Sequence, residues 1–308
     1  MESHLIEAGY VTPFVRSWLA RRPAVRVLHV FDHACNLINE RDEIVSLVTA
    51  ELGPGPFAVV LAPATTPIFF QLITAVTPVT VDGRMIKVGA LVIETAPAVD
   101  WSPRPAWEQW RGRASVLASS LLTLTTSRRI GNPGNNDITI AYRRHLAAGS
   151  ERLLSGLAEG DADSCLQGVQ QLAGLGPGLT PAGDDFLMGA IYGLWATRPA
   201  EEAQFWGHDI AEAAAPRTTL LSAAWLRAAA RGEAAEAWHE LVRAGGEWAV
   251  NSGSFEDSGR TVSSEQFGCQ EIAVAVERIL DTGHSSGADA LAGFTALLEK
   301  WREAKCTG

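Results

Sequence analysis

The chain changes character partway along its length. Across Val25–Trp101, β-branched runs such as VRVLHVF, FAVVLAP, TPVTVDGR and MIKVGALVIET are separated by Pro, Gly and Asp-Gly turns, which is typical of strands. The segment PVTVDGRMIKV predicts a hairpin with Asp82–Gly83 at its turn. From about Pro105 onward, Ala, Leu, Glu and Arg are common and apolar residues recur at helical spacing. We therefore predict an α+β protein, with a mainly β domain at residues 1–104 and an all-α domain at residues 105–308.

Three segments of the second part are predicted as helices that end in glycine, as helix C-caps prefer: CLQGVQQLAG, LLSAAWLRAAARG and CQEIAVAVERILDTG. Two turn-rich segments interrupt the helical pattern, RRIGNPGNNDI at residues 128–138 and NSGSFEDSGRTVSSEQFG at residues 251–268. The first is either a rigid connection or a ligand-facing loop. The second is either a mobile flap or a solvated linker.

Composition restricts the class of protein. The 308-residue chain is 47% hydrophobic and 19% charged, which fits a globular protein rather than a disordered or coiled-coil one. Its formal net charge is -10 and its basic residues are scattered in ones and twos, which argues against nucleic-acid binding. Because there is no membrane-length apolar run and no signal-peptide pattern, we expect a cytoplasmic protein with no membrane partner. The four cysteines form no CxxC pair, so neither a zinc cluster nor a disulfide framework is predicted.

The most unusual segment is GLGPGLTPAGDDFLMG, at residues 174–189. Thr180 followed by Pro181 predicts a helix start, because Thr can cap free backbone N–H groups and Pro has no N–H to satisfy at the first helical position. Glycines in the loop before it would let the backbone approach a ligand, and amides at a helix start favour an anion such as phosphate or carboxylate. The GK[ST] ending of a Walker loop is absent, so nucleotide binding is not predicted.

Two adjacent aspartates, Asp184 and Asp185, fall in the first turns of this predicted helix. Either both pair with the helix dipole, or one carboxylate faces inward or toward the site, since neighbouring helical residues point about 100° apart. The pattern G-x-D-x-x-x-G spans residues 183–189 and recurs at residues 287–293, where Asp289 takes the place of Asp185. Unless the repeat is a coincidence in a Gly-rich chain, two such helices would pack through their glycines and bring both loops and both aspartates to a shared site.

Two further segments offer polar groups to that site. GHSSGADALAGF, at residues 283–294, matches the nucleophile elbow G-x-S-x-G, but an elbow follows a strand, and the residues before Gly283 are predicted as a helix. His284, Ser285 and Ser286 are better explained as loop donors and a helix cap, and for His284 a surface position is the alternative. APRTTLLSAAWL offers groups that would cap another helix or bind an anion. These groups are Arg217, Thr218, Thr219 and Ser222.

GLGPGLTPAGDDFLMG, RTTLLSAAWL and GHSSGADALAGF together resemble a conserved domain family associated with the oxamate carbamoyltransferase subunits of anaerobic allantoin breakdown, and the β-then-α layout is similar over most of the chain. The resemblance implies a reaction in purine catabolism that converts oxalurate and phosphate into oxamate and carbamoyl phosphate, or a related reaction of another ureido acid. It also implies sister enzyme subunits and no cofactor. Carbamoyl transfer needs positioning and stabilisation of oxyanion charge rather than a redox cofactor or a covalent nucleophile.

On this hypothesis, the glycine loop and Thr180 would hold a phosphate or carboxylate group of a small anionic metabolite. Arg217 or His284 would offset its charge, and the aspartates of the two patterns would orient the carbamoyl nitrogen or fix the loops. The predicted catalytic residues are Asp184, Asp185, His284 and Asp289. The predicted ligand-binding residues are Gly176, Gly178, Thr180, Gly183, Arg217, Thr218, Thr219, Ser285, Ser286 and Gly287.

Two other functions fit the same residues. In the first, Asp184, Asp185 and Asp289 hold Mg²⁺ and activate water, as in helical hydrolases with acidic pairs. In the second, the chain is a noncatalytic subunit whose glycine loop binds a metabolite while a partner performs the chemistry. Dependence on a metal ion distinguishes the first from a carbamoyltransferase, and binding without turnover identifies the second.

Overall fold

The computed structural model describes residues 4–63, 69–111, 121, 137–252 and 263–307. Its α+β fold confirms the predicted class, because a strand-rich, barrel-like sheet comes first and the described residues from Asp137 onward are helical apart from short turns. The chain divides into two compact units. They are Met1–Pro103 with Glu233–Glu236, and Arg104–Gly232 with Ala237–Gly308.

The first unit is built on nine strands in its described part. They are β1 (His4–Val11), β2 (Val25–Val30), β3 (Ala34–Asn39), β4 (Ile44–Val48), β5 (Ala58–Leu61), β6 (Val79–Val81), β7 (Met85–Val88), β8 (Leu91–Glu94) and β9 (Val99–Asp100), with helices α1 (Pro13–Ala20) and α2 (Phe69–Leu72). The order across the sheet is β2-β3-β4-β5-β1-β8-β7-β6, and β9 pairs with β1. Because the end strands β2 and β6 approach each other, the sheet curls into a barrel-like shape around an apolar core.

Strand β1 lies at the centre of the sheet, although the sequence pattern predicted strands only from Val25. Its first half pairs in parallel with β8 and its second half pairs antiparallel with β5, with a register shift between Ala8 and Tyr10. Helix α1 follows directly, capped by Thr12, and it buries Trp18 completely in the same core.

The predicted hairpin is confirmed. Strands β6 and β7 pair antiparallel, Asp82 Oδ1 accepts a hydrogen bond from Met85 N at 3.0 Å, and Gly83 has φ 90°. The run MIKVGALVIET forms the two strands β7 and β8, because Gly89, with φ 60°, reverses the chain between them.

Besides two short 3₁₀-helices at Trp107–Trp110 and Ala215–Arg217, eight α-helices with described bounds follow. They are α3 (Asp137–Glu159), α4 (Ala162–Leu172), α5 (Ala182–Thr197), α6 (Ala200–Ala214), α7 (Leu220–Ala230), α8 (Glu236–Ser252), α9 (Ser263–Leu280) and α10 (Ser286–Thr307). The glycine ends of the three predicted helices are confirmed, since Gly174, Gly232 and Gly283 have φ 71°, 76° and 62°, the left-handed conformation of a C-terminal cap. None of the helices described is both long and apolar enough to cross a bilayer.

Two predicted loops lie largely outside the described residues. Of residues 128–138, only Asp137 and Ile138 are described, and they begin α3. The prediction of a loop at residues 251–268 is wrong at both ends, where α8 ends and α9 begins, and its middle lies outside the described residues. The polar run SSEQ at the start of α9 has the Ser-x-x-Gln spacing of a capping box, which favours a helix start despite its polarity.

Candidate functional site

Helices α5 and α10 pack through glycines, as the repeated G-x-D-x-x-x-G pattern predicted. A Cβ at Gly189 would collide with the carbonyl oxygen of Ala290, and a Cβ at Gly293 would collide with that of Phe186. Both collisions involve helix backbone, which cannot move aside as the end of a flexible side chain can. The two glycines therefore permit a close approach of the helices, and this approach fixes where their first turns lie.

The first glycine of each pattern also has an equivalent role. Gly183 packs against the carbonyl group of Leu172 at the end of α4, and Gly287 packs against the carbonyl group of Ile279 near the end of α9. A side chain at either position would push a loop away from the helix before it. The chain thus contains two helical hairpins of similar local design, α4–loop–α5 and α9–loop–α10, joined where α5 and α10 cross.

The loop of the first hairpin, from Gly174 to Thr180 and called the glycine loop below, alternates in backbone handedness. Gly174, Gly176 and Gly178 have φ 71°, 123° and 96°, whereas the residues between them do not have positive φ. Such alternation is characteristic of anion-binding nests, in which successive backbone N–H groups line a concavity. Among the described residues, the amides of Gly176 and Gly178 donate to no protein acceptor. Gly178 also faces open space.

Three amides at the start of α5, those of Gly183, Asp184 and Asp185, donate hydrogen bonds within the protein. Gly183 N donates to Leu175 O at 2.9 Å. The amides of Asp184 and Asp185 both donate to Pro181 O, at 2.9 and 3.1 Å. These three amides of the helix start are therefore not available to a ligand, whereas those of Gly176 and Gly178 are.

The hydroxyl groups of Thr180 and Ser286 join the two hairpins. Their oxygens lie 2.7 Å apart, so one donates a hydrogen bond to the other. The prediction that Thr180 caps α5 is wrong, because this helix begins at Ala182 with no side-chain cap and the Thr180 hydroxyl is engaged by Ser286. The pair brings the start of α10 next to the end of the glycine loop.

Asp184 is 2% exposed and holds the glycine loop in place. Its Oδ1 accepts a hydrogen bond from Gly174 N at 2.9 Å, and its Oδ2 accepts one from the Thr218 hydroxyl. Burial raises the pKa of Asp184, and the hydrogen bonds from Thr218 and Gly174 act against that rise. Since both oxygens have protein donors, this carboxyl ties the glycine loop to the segment before α7.

Asp185 has a different environment. It is 4% exposed, and its Oδ2 has no hydrogen-bond partner among the described residues. Burial raises the pKa of this carboxyl to about 7, and the negative charges of Asp289 and Asp184 contribute to the rise. The hydroxyl groups of Ser286 and Thr180 partly offset it. Near neutral pH, Asp185 can therefore either donate or accept a proton.

Only some of the predicted polar residues of the second hairpin act on Asp185. Asp289 lies half-buried in the first turn of α10 and acts electrostatically on Asp185, so the two hairpins bring both aspartates into range of each other. The side chains of His284 and Ser285 are exposed in the turn, and no described contact joins either to Asp185. Helix α9 rather than a strand precedes Gly283, which confirms that GHSSG is not a nucleophile elbow.

The segment before α7 supports the glycine loop. The Arg217 side chain is exposed, and its carbonyl oxygen occupies the space left by the missing side chain of Gly174. Thr219 caps α7, as predicted, and its hydroxyl donates to Leu179 O at 2.6 Å. Because the Thr218 hydroxyl donates to a carboxylate of α5, both threonine hydroxyl protons have protein acceptors in this structure.

Tyr142, on α3, is a neighbour that the sequence patterns did not indicate. Its hydroxyl oxygen lies 3.3 Å from the position that a Cβ would take at Gly176. Burial raises the pKa of Tyr142, and the negative charge of Asp289 adds to the rise. This residue borders both hairpins, yet a single tyrosine on a helix remote in sequence has no spacing that would reveal it.

The Mg²⁺ alternative has less support from the geometry. Within the described ranges, no group of three or more His, Cys, Asp or Glu side chains is placed to hold a metal ion. Asp184 is engaged on both oxygens by Gly174 and Thr218. Of the three proposed ligands, Asp184 is therefore not available to a cation.

Comparison with known protein families gives two matches. The family described as oxamate carbamoyltransferase subunit AllH matches residues 172–298, and the AllH family N-terminal domain matches residues 8–100. No curated protein and no solved structure matches the chain. The first match includes the glycine loop and the crossing of α5 with α10, and the second covers the barrel-like sheet except for residues 4–7. Because the two matches cover most of the sequence, the chain belongs to the AllH family of oxamate carbamoyltransferase subunits.

Proposed function

We propose that this chain is a catalytic subunit of an enzyme that converts oxalurate and phosphate into oxamate and carbamoyl phosphate, or that acts on a related ureido acid. In this proposal the glycine loop and the start of α10 bind the small anionic metabolite. Family membership supports the reaction class, and the arrangement of the two hairpins supports the location. Sister subunits would complete the enzyme, in keeping with the family description as a subunit.

One observation carries the location: two loop-to-helix segments meet at the Thr180–Ser286 hydroxyl pair, beside the buried carboxyl of Asp185. The amides of Gly176 and Gly178 add neutral donors that suit a carboxylate or phosphoryl oxygen. Donors that are fixed before the ligand binds stabilise developing oxyanion charge without a reorganisation cost. Such an arrangement suits a transfer reaction that relies on positioning rather than on a covalent intermediate.

The proton balance of the reaction suits Asp185. A phosphate oxygen would attack the terminal ureido carbon of oxalurate, forming the C–O bond of carbamoyl phosphate while the C–N bond to the oxamate nitrogen breaks. Hydrogen phosphate loses one proton and the departing nitrogen gains one. A carboxyl with a pKa of about 7 can accept the first proton and deliver the second, so that no net proton is needed. Arg217 and His284, both exposed, are the candidates in this chain for offsetting ligand charge.

Calorimetry and a turnover assay test this proposal together. The chain is titrated with oxamate, oxalurate, phosphate and carbamoyl phosphate, and carbamoyl phosphate formation from oxalurate is measured with the sister subunits present. We expect binding of at least one metabolite, and a loss of turnover of about 10²–10⁴-fold in Asp185→Asn. Asp163→Asn, which alters an exposed aspartate in the first turn of α4, should retain wild-type turnover. Absence of both binding and turnover would overturn the proposal, and an unchanged rate in Asp185→Asn would remove this site from it.

The two alternatives give different results in the same assays. A noncatalytic subunit would bind a metabolite, and the Asp185→Asn variant would support the same turnover as wild type in the assembled enzyme. A hydrolase that uses Asp184, Asp185 and Asp289 would need Mg²⁺ or Mn²⁺ and would lose activity on chelation. Carbamoyl phosphate formation that survives exhaustive chelation would exclude this second alternative.

A further inference from the structure

Tyr142 reaches the glycine loop from α3, a helix outside both G-x-D-x-x-x-G patterns. We propose that Tyr142 contacts the ligand and determines specificity, its hydroxyl donating a hydrogen bond to a carbonyl or carboxylate oxygen of the metabolite held at Gly176. This inference rests on the proposed function, because it requires the glycine loop to hold an oxygen-bearing metabolite. It adds a residue from a third segment of the chain to the site that the two hairpins form.

The geometry places the hydroxyl beside bare backbone. Gly176 has φ 123°, a conformation that side chains rarely adopt, and the Tyr142 oxygen lies 3.3 Å from where its Cβ would be. The Gly176 amide is also one of the loop N–H groups that donate to no acceptor among the described residues. A ligand oxygen seated against this part of the loop is therefore within reach of the tyrosine hydroxyl.

The chemistry of the hydroxyl limits what it can recognise. Among the described residues, no protein group forms a hydrogen bond with the Tyr142 hydroxyl, and the side chain is half-buried. Burial and the negative charge of Asp289 raise the pKa of this phenol, so it stays protonated at neutral pH. It therefore acts as a donor toward a ligand oxygen rather than as a base or a phenolate.

Calorimetry of Tyr142→Phe tests the inference, because this substitution removes only the hydroxyl. Oxamate and carbamoyl phosphate serve as probes, since each has a carbonyl oxygen. We expect the Kd of at least one probe to rise about tenfold, the usual effect of losing one hydrogen bond. Tyr10→Phe is the matched control, because Tyr10 is 45% exposed on β1 in the other unit, and it should bind both probes as wild type does.

The outcomes separate this inference from the proposed function. If wild type binds a probe and Tyr142→Phe binds it equally well, the inference is wrong and the proposed function stands. If wild type binds neither probe, the inference is wrong, and the proposed function fails with it only when oxalurate and phosphate also do not bind and no turnover is measured. A second measurement needs no substitution at Tyr142. The chain has three tyrosines, so labelling with 3-fluorotyrosine gives three ¹⁹F resonances. The variants Tyr10→Phe and Tyr192→Phe assign two of these resonances, and the third belongs to Tyr142. Oxamate should shift the Tyr142 resonance, and an unshifted resonance at saturation would overturn the inference.

Discussion

Replacing Asp185 by Asn should stabilise the protein in a pH-dependent way. The carboxyl is 4% exposed and its pKa is raised from 3.8 to about 7. At about 1.36 kcal/mol per pH unit, ionising this group in the folded protein is disfavoured by about 4 kcal/mol relative to the unfolded chain. Asp185→Asn removes the charge while nearly keeping the shape. We expect the variant to be more stable than wild type by up to about 4 kcal/mol at pH 8, and by less than about 1 kcal/mol at pH 4.

The sign follows from proton binding. A carboxyl whose folded pKa exceeds its unfolded value binds more protons in the folded state, so its contribution to stability falls as the pH rises from about 4 to about 7 and then levels off. Urea unfolding followed by circular dichroism at pH 4, 6 and 8 measures the difference between wild type and Asp185→Asn. The control Asp163→Asn, at an exposed position, should change the unfolding free energy by less than about 0.5 kcal/mol.

The result that would refute this reasoning is a stability difference between wild type and Asp185→Asn that is the same at pH 4 and pH 8. Such a result would mean that the carboxyl ionises in the folded protein as easily as in the unfolded chain. A gain in stability accompanied by a loss of turnover would instead indicate that the buried carboxyl is retained for function at the expense of stability.

Three other substitutions test neighbouring features of the site. Gly293→Ala should destabilise the protein by about 1–3 kcal/mol, because the new Cβ meets helix backbone at the crossing of α5 and α10. Thermal unfolding measures this change, and an unchanged Tm would show that the crossing does not require a glycine. Thr218→Val should cost about 1.5–3 kcal/mol and raise the pKa of Asp184 further, since it removes one donor to a buried carboxylate, whereas Thr218→Ser should behave as wild type in urea unfolding. Asp289→Asn should lower the pKa of Asp185, because it removes a nearby negative charge. A ¹³C NMR titration of the Asp185 carboxyl measures this pKa, and a value that rises or stays constant in the variant would contradict the prediction.

Local sequence patterns were sufficient for the division into a strand-rich part and a helical part, because hydrophobic periodicity depends on neighbouring residues. They were not sufficient for β1. The run HLIEAGYV contains a glycine and a glutamate, residue types that are depleted in strands, so its strand signal is weak. Its central position is fixed by pairing with β5 and β8, strands that are distant in sequence.

The site was predictable to a similar degree. Glycines at one-face spacing on two helices require close packing, so the crossing at Gly189 and Gly293 followed from the repeat. The different environments of Asp184 and Asp185 did not, because they depend on donors contributed from other segments: Thr218 engages the first carboxyl, whereas Oδ2 of the second has no partner among the described residues. Long-range contacts of this kind leave no trace in residue spacing.

The central claim is that a small anionic metabolite binds at the amides of the glycine loop. Two-dimensional ¹H–¹⁵N NMR of protein labelled with ¹⁵N-glycine tests it most directly. Addition of oxamate or carbamoyl phosphate should shift the amide resonances of Gly176 and Gly178 and leave that of Gly83, in the turn between β6 and β7, unchanged. Unshifted Gly176 and Gly178 resonances at a probe concentration that saturates binding in calorimetry would contradict the claim.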